Sequence, residues 1–187
     1  PALPGFEVRA AEDGELLIRS ETVFAGYYKD EEATREVLGD DGWLRSGDVG
    51  SIDEDGFIRI TDRKKDILVT AGGKNVAPQN LENALKMAPI VSQALVVGDR
   101  RPYIAALITV DPEQSKDVAP EELRERVQGI VDEANAELSR FEQIKRFTIL
   151  PRDFSADHDE VTPTLKLKRR VCAEHFAAEI ESLYSAP

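Results

Sequence analysis

The sequence predicts an α+β protein in two parts: a mostly-β stretch over 1–62 and, past a short junction at 63–66, a compact α+β domain over 67–187 with helices packed on a small sheet. Three observations lead there. The first sixty or so residues alternate short apolar runs with Asp- and Gly-containing turns. After Asp62 the pattern changes, and strands interleave with helices. Within that second part, two apolar runs at 90–97 and 103–110 are separated only by Gly98-Asp-Arg-Arg-Pro102, short enough to make them antiparallel neighbours.

Each element has a local cause. Gly14-Glu-Leu-Leu-Ile-Arg19 reads as a strand leaving the turn Glu12-Asp-Gly14. Asp30 to Leu38 reads as a short helix, with Asp30 as its cap and Glu31 and Glu32 at its positive end. Asp40-Asp-Gly42 turns the chain, and 49–60 reads as a hairpin around Asp53-Glu-Asp-Gly56, with Phe57, Ile58 and Ile60 on the return. Ile67-Leu-Val-Thr70 is a strand, Gly72-Gly73 a turn, and Pro78 opens a helix that aligns Leu81, Ala84, Leu85 and Ala88. A longer helix over 120–139 puts Leu123, Val127, Ile130, Val131, Ala134 and Leu138 on one face. Phe147 to Leu150 is a further strand. The last helix, 168–184, turns Cys172, Phe176, Ile180 and Leu183 inward.

Composition narrows the function. With 187 residues, 41% of them hydrophobic, there is apolar material for one domain or two small ones. No apolar run approaches the roughly 18 residues of a membrane span, and the first residues lack the pattern of a signal peptide. The only methionine is Met87, so we expect the chain to continue upstream of Pro1. A single cysteine, Cys172, excludes an internal disulfide framework, fits a reducing, cytoplasmic setting, and reads as a packed thiol. A net charge of −12 argues against nucleic acid as a partner. The local exception is Lys166, Lys168, Arg169 and Arg170, beside Asp157, Asp159 and Glu160: either a solvated helix face or a contact for a polyphosphate. His158 and His175 show no metal-ligand spacing, and no metal site is expected within the chain.

Four blocks stand out. Trp43-Leu-Arg-Ser-Gly-Asp48 places a carboxylate after a Ser-Gly pair, which by itself is also an ordinary loop. Thr61-Asp-Arg63-Lys-Lys65-Asp66 is also consistent with a solvated charge cluster. Ala71-Gly72-Gly73-Lys74 lies between a strand and a helix. Two residues without Cβ atoms let an extended ligand approach the backbone, or simply make a tight turn. It lacks the Gly-x-x-x-x-Gly-Lys-Ser/Thr spacing of a phosphate loop. Thr162-Pro163-Thr164-Leu165-Lys166 precedes further lysine and arginine residues.

In order and spacing these blocks resemble those of the adenylate-forming (acyl-activating) enzyme superfamily, and the resemblance covers essentially the whole chain. Within it, residues 60–78 and 162–170 look most like the carboxy-terminal portion of bacterial long-chain fatty acyl-CoA synthetases. The resemblance implies that 1–62 closes a large adenylation domain, that 63–66 is a hinge, and that 67–187 is a mobile lid. Asp48 would take the ribose hydroxyls, since a carboxylate has two acceptor oxygens for a vicinal diol. Arg63 would assist at the nucleotide and Lys65 would be the pivot. Gly72, Gly73 and Lys74 would border the CoA channel. Lys166 would neutralise charge as carboxylate and α-phosphate meet.

Leu165 departs from the pattern, because many members have glycine there, and it leaves Lys168 as a competitor for the catalytic role. The implied ligands are a fatty acid, ATP with Mg2+, and CoA, with peripheral membrane contact open to the parent protein. The superfamily's glycine-rich phosphate loop and acyl pocket are not in this chain, so the fragment alone is expected to be inactive in adenylation. Two alternatives stay open: another adenylating ligase that loads amino or aryl acids onto a carrier protein, and a non-catalytic α+β interaction module.

Overall fold

The computed structural model describes residues 1–185. The final two positions of the predicted second domain, 186 and 187, lie outside the described residues. The chain divides into two compact units, Pro1–Ile67 and a second one beginning at Leu68.

The first unit is an antiparallel meander of β1 (Glu7–Ala10), β2 (Glu15–Arg19), β3 (Leu44–Ile52) and β4 (Ile58–Arg63), paired in chain order. Helix α1 (Glu31–Val37) interrupts it, and the Asp30 carboxylate accepts the Ala33 N–H at 3.0 Å as the expected cap. The apolar centre is small: Leu16, Leu17 and Trp43. The guanidinium groups of Arg9 and Arg19 lie 4.3 and 4.6 Å from the Trp43 ring centroid. The sequence places the hairpin's first strand at 49. The observed β3 begins five residues earlier, and that extension carries the Ser-Gly-Asp block into the sheet.

The second unit is built in three layers. Its central sheet runs β7 (Val91–Val97), β8 (Ile104–Val110), β9 (Ile144–Ile149), with β8 antiparallel to β7 and parallel to β9. Alternation along β8 decides which residue faces which layer. Ile104, Ala106 and Ile108 join a core with helices α2 (Pro78–Lys86) and α4 (Pro120–Asn135). Ala105 and Leu107 join the opposite core, with α5 (Arg169–His175) and α6 (Ala177–Tyr184). Both faces are covered, which is why the run reads as continuously apolar rather than alternating. A short helix, α3 (Pro112–Ser115), follows β8 and is capped by Asp111.

Two expectations change here. The predicted last helix is two helices, broken at Phe176 (φ −106°, ψ 30°). There the ring packs edge-on to Phe154 with centroids 5.6 Å apart. The apolar stripe of α2 includes Glu82, which is buried, while Ala84 is exposed. Glu82 is tolerated because its carboxylate accepts the Val96 N–H at 2.8 Å and pairs with Arg169. Burial nonetheless pushes its carboxyl above the usual range.

Candidate functional site

In the first unit, β3 bulges between its pairings with β2: Leu17 faces Arg45, but Glu15 faces Val49, so the strand carries extra residues around Gly47. Gly47 has φ +71°, a left-handed conformation that side-chain-bearing residues adopt at a cost. The buried Glu15 carboxylate fills the bulge. One oxygen accepts the Gly47 N–H at 3.0 Å, and the other takes the Lys64 ammonium at 2.9 Å. Lys64 also pairs with Asp13 at 2.7 Å.

The bulge aims Asp48 across the sheet at Arg63, its partner in the β3–β4 register, and Arg63 Nε lies 3.0 Å from Asp48 Oδ1. The structure therefore brings the two predicted nucleotide residues into one ion pair. Among the described residues Asp48 Oδ2 has no further partner. Arg63 borders a cavity of about 520 Å³, whose lining also includes Phe24, Tyr27, Ser46 and Gly47 but not Asp48 itself. Glu15, Phe24 and Tyr27 were not singled out as site residues from sequence, and Glu15 acts over a separation of 32 residues. The predicted pivot, Lys65, lies in a single 3-10 turn, Lys64–Asp66, just before the first unit ends at Ile67. Its side chain is exposed and unpartnered among the described residues.

In the second unit the other two blocks form the same hairpin twice. Thr70 to Lys74 joins β5 (Leu68–Val69) to β6 (Asn75–Val76). The Gly73 N–H donates to Thr70 O at 2.8 Å, Thr70 N–H to Lys74 O at 3.0 Å, and Lys74 N–H to the Thr70 hydroxyl at 3.1 Å. Thr162 to Lys166 repeats every bond. Leu165 N–H donates to Thr162 O at 2.8 Å, Thr162 N–H to Lys166 O at 2.8 Å, and Lys166 N–H to the Thr162 hydroxyl at 3.1 Å.

This is a three-residue loop whose last residue is left-handed. Gly73 fills that position at φ +72°, and Leu165 fills it at φ +59°. Pro163 suits the first corner. Each hairpin delivers a lysine onto the returning strand. Gly72 is different: no backbone angle demands it, and a Cβ there would meet nothing nearer than the Thr70 hydroxyl at 3.9 Å. Leucine in the left-handed region costs about 1 kcal/mol, so Leu165→Gly is expected to raise the unfolding free energy of this chain by up to about that amount. A urea titration read by circular dichroism measures it, and an unchanged or lowered midpoint contradicts it.

The basic cluster around Lys166 is largely spoken for. Lys168 pairs with Asp159, Arg169 with Glu82 and the Val96 carbonyl, and Arg170 with Glu174 at 3.1 Å. Lys166 is exposed and has no side-chain partner among the described residues. Next to the glycine hairpin lies a cavity of about 540 Å³, lined by Gly72, Lys74, Tyr103, Arg140, Phe141 and Lys145 among others. Cations and aromatic rings in one groove suit a ligand with phosphates and a flat base. Arg140, Phe141 and Lys145 went unremarked in the sequence; the exposed aromatic Phe141 beside a basic residue was the available signal. Cys172 is buried, its thiol donates to the Glu160 carbonyl at 3.3 Å, and burial pushes its pKa up to about 11. Among the described residues no group of three or more His, Cys, Asp or Glu side chains is placed to hold a metal, and no helix is long and apolar enough to cross a membrane.

A fold of this kind, with a lysine-bearing hairpin on an α+β body, defines a class. The family model for the AMP-binding enzyme C-terminal domain matches residues 65–187, and the chain belongs to that family. Among curated relatives, the long-chain-fatty-acid–CoA ligase FadD15 of Mycobacterium tuberculosis is 49% identical, over 98% of this chain and 33% of its own length. The putative fatty-acid–CoA ligase fadD11 of the same organism is 43% identical, over 98% and 35%. The chain thus spans about a third of the length of the curated relatives it matches.

Among solved structures, the adenylation domain of a carboxylate reductase from Mycobacterium chelonae superimposes with a TM-score of 0.83 at 29% identity, covering 100% of this chain and 32% of that one. The A domain of the carboxylic acid reductase from Segniliparus rugosus, in complex with AMP and a co-purified carboxylic acid, gives 0.83 at 26%, covering 98% and 32%. The resemblance to adenylate-forming enzymes and the α+β fold expected from the sequence both hold. The reading as a non-catalytic module is not favoured.

Proposed function

We propose that this chain is the carboxy-terminal part of a long-chain fatty acid–CoA ligase, acting in two half-reactions. The observation that carries the reading is the 49% identity to a long-chain-fatty-acid–CoA ligase across 98% of the chain. In the first half-reaction a carboxylate oxygen of the fatty acid attacks the α-phosphorus of Mg-ATP. The bond to the β-phosphate breaks, and acyl-AMP and pyrophosphate result. Asp48, steadied by Arg63, takes the ribose hydroxyls through its open oxygen. Lys166 supplies the positive charge that lets two anionic oxygens approach each other. In the second, the lid turns at Lys65 within the 63–66 hinge and Lys166 withdraws. The CoA thiolate then attacks the acyl carbonyl, and the carbon–oxygen bond to AMP breaks. The open space over Gly72 and Gly73, with Lys74 beside them, supports their assignment to the pantetheine path.

The test feeds the full-length parent ATP and CoA with either a long-chain fatty acid or a panel of amino and aryl acids. Fatty acid is expected to drive release of AMP and formation of a CoA thioester. Activity confined to amino or aryl acids would replace the fatty-acid reading with a carrier-loading one. The 187-residue chain alone is expected to release no pyrophosphate above a heat-treated control.

A further inference from the structure

Glu160 is the residue through which the chain enters the Lys166 hairpin, and its side chain is 0% exposed. Both carboxylate oxygens are occupied. Arg152 donates to them from Nη2 at 2.6 Å and from Nη1 at 2.7 Å, the Ser155 N–H donates at 3.0 Å, and His175 Nδ1 lies at 3.0 Å. The backbone is held as well. Glu160 N–H donates to Ser155 O at 3.0 Å, and its carbonyl accepts the Lys168 N–H at 2.8 Å. Beyond that bond the hairpin closes pair by pair, Val161 opposite Leu167 and then Thr162 bonded to Lys166. Arg152 is fixed in turn, lying 4.9 Å over the Phe176 ring and donating to the Asp153 carbonyl at 3.0 Å.

Only the carboxylate of this ion pair is fully buried, Arg152 being 37% exposed, and desolvation of that carboxylate offsets much of the attraction, so the pair is a poor source of net stability. We propose that Glu160, clamped by Arg152, is a positioning residue for Lys166, setting the direction in which the hairpin leaves the body and hence where the ammonium arrives during adenylation. This rests on the assignment of Lys166 made above. The Arg152 hydrogen bonds hold the Glu160 carboxyl down to about 2, so the clamp stays charged at any pH near neutrality.

The experiment uses the full-length parent and reads its half-reactions separately: pyrophosphate exchange for adenylation, and thioester formation from supplied acyl-adenylate and CoA. Glu160→Gln and Arg152→Lys are each expected to lower kcat for exchange about tenfold or more, since small misplacements of a reacting group are costly. KM values and the second half-reaction should stay within about twofold. In a Lys166→Ala background, Glu160→Gln should add nothing to the adenylation defect, because both changes remove the same contact. If Glu160→Gln does not fold, the Glu160→Met/Arg152→Met pair, which exchanges the clamp for apolar volume, is expected to fold and show the same selective loss. Equal loss in both half-reactions, unchanged adenylation, or an additive defect without Lys166 overturns the positioning role and leaves the Lys166 reading standing. If Lys166→Ala alone shows no selective loss of adenylation, the Lys166 reading falls, and this inference with it.

Discussion

Lys166→Ala in the full-length parent is expected to slow acyl-adenylate formation by about a hundredfold or more, while thioester formation from supplied acyl-adenylate stays near the unaltered rate. The size follows from the charge involved. Removing one preorganised contact to developing negative charge costs about 3 kcal/mol, roughly two orders of magnitude in rate. The selectivity follows from the structure: Lys166 is the exposed member of its cluster without a partner, so its loss leaves no buried charge and should not disturb folding. Lys168 is a weak substitute, because its ammonium already pairs with Asp159. Rapid-quench measurement of each half-reaction gives the answer. Equal slowing in both would remove Lys166 from adenylation, and a larger loss from Lys168→Ala would transfer the role to its neighbour.

The second large effect is expected from Lys65→Pro. Overall turnover should fall about tenfold or more, a barrier increase of ~1.4 kcal/mol, with pyrophosphate release in the first turnover largely intact. Upstream of Lys65 the chain is anchored: Arg63 to Asp48 at 3.0 Å, and Lys64 to Asp13 at 2.7 Å and Glu15 at 2.9 Å. These anchors support the proposal that the pivot lies at Lys65, the exposed residue that follows them. Proline there fixes φ near −65° and pushes Lys64 away from helical angles, removing rotations that a domain turn requires. Lys65→Ala, which keeps the backbone free, is the control and should be close to normal. Unimpaired turnover by the proline variant would exclude a pivot at this residue.

Most of the architecture was legible because its causes are local. Asp30, Pro78 and the short 98–102 connection each announce a cap, a helix start and an antiparallel pair within a few residues. What escaped depends on partners far along the chain. Gly47 reads as a loop residue until Glu15 holds its amide and makes it a bulge inside a strand. Glu82 reads as a solvent residue until Arg169, 87 positions later, and Val96 satisfy it. The helix break falls at Phe176, where the ring packs edge-on against Phe154 and no helix-breaking residue marks the position. The candidate residues Asp48, Arg63, Gly72 and Lys166 stand out as motifs in the sequence. Arg140, Phe141 and Lys145 converge with Lys74 only in three dimensions.

With helices on both sides of its sheet, the second unit has both sheet faces covered. Its two lysine-bearing bends, Thr70–Lys74 and Thr162–Lys166, are built to one pattern of hydrogen bonds. Such a body can exchange one bend without re-cutting the other or its interior. Grafts of four or five residues between relatives should therefore transplant the behaviour of a single half-reaction, leaving its counterpart where it was.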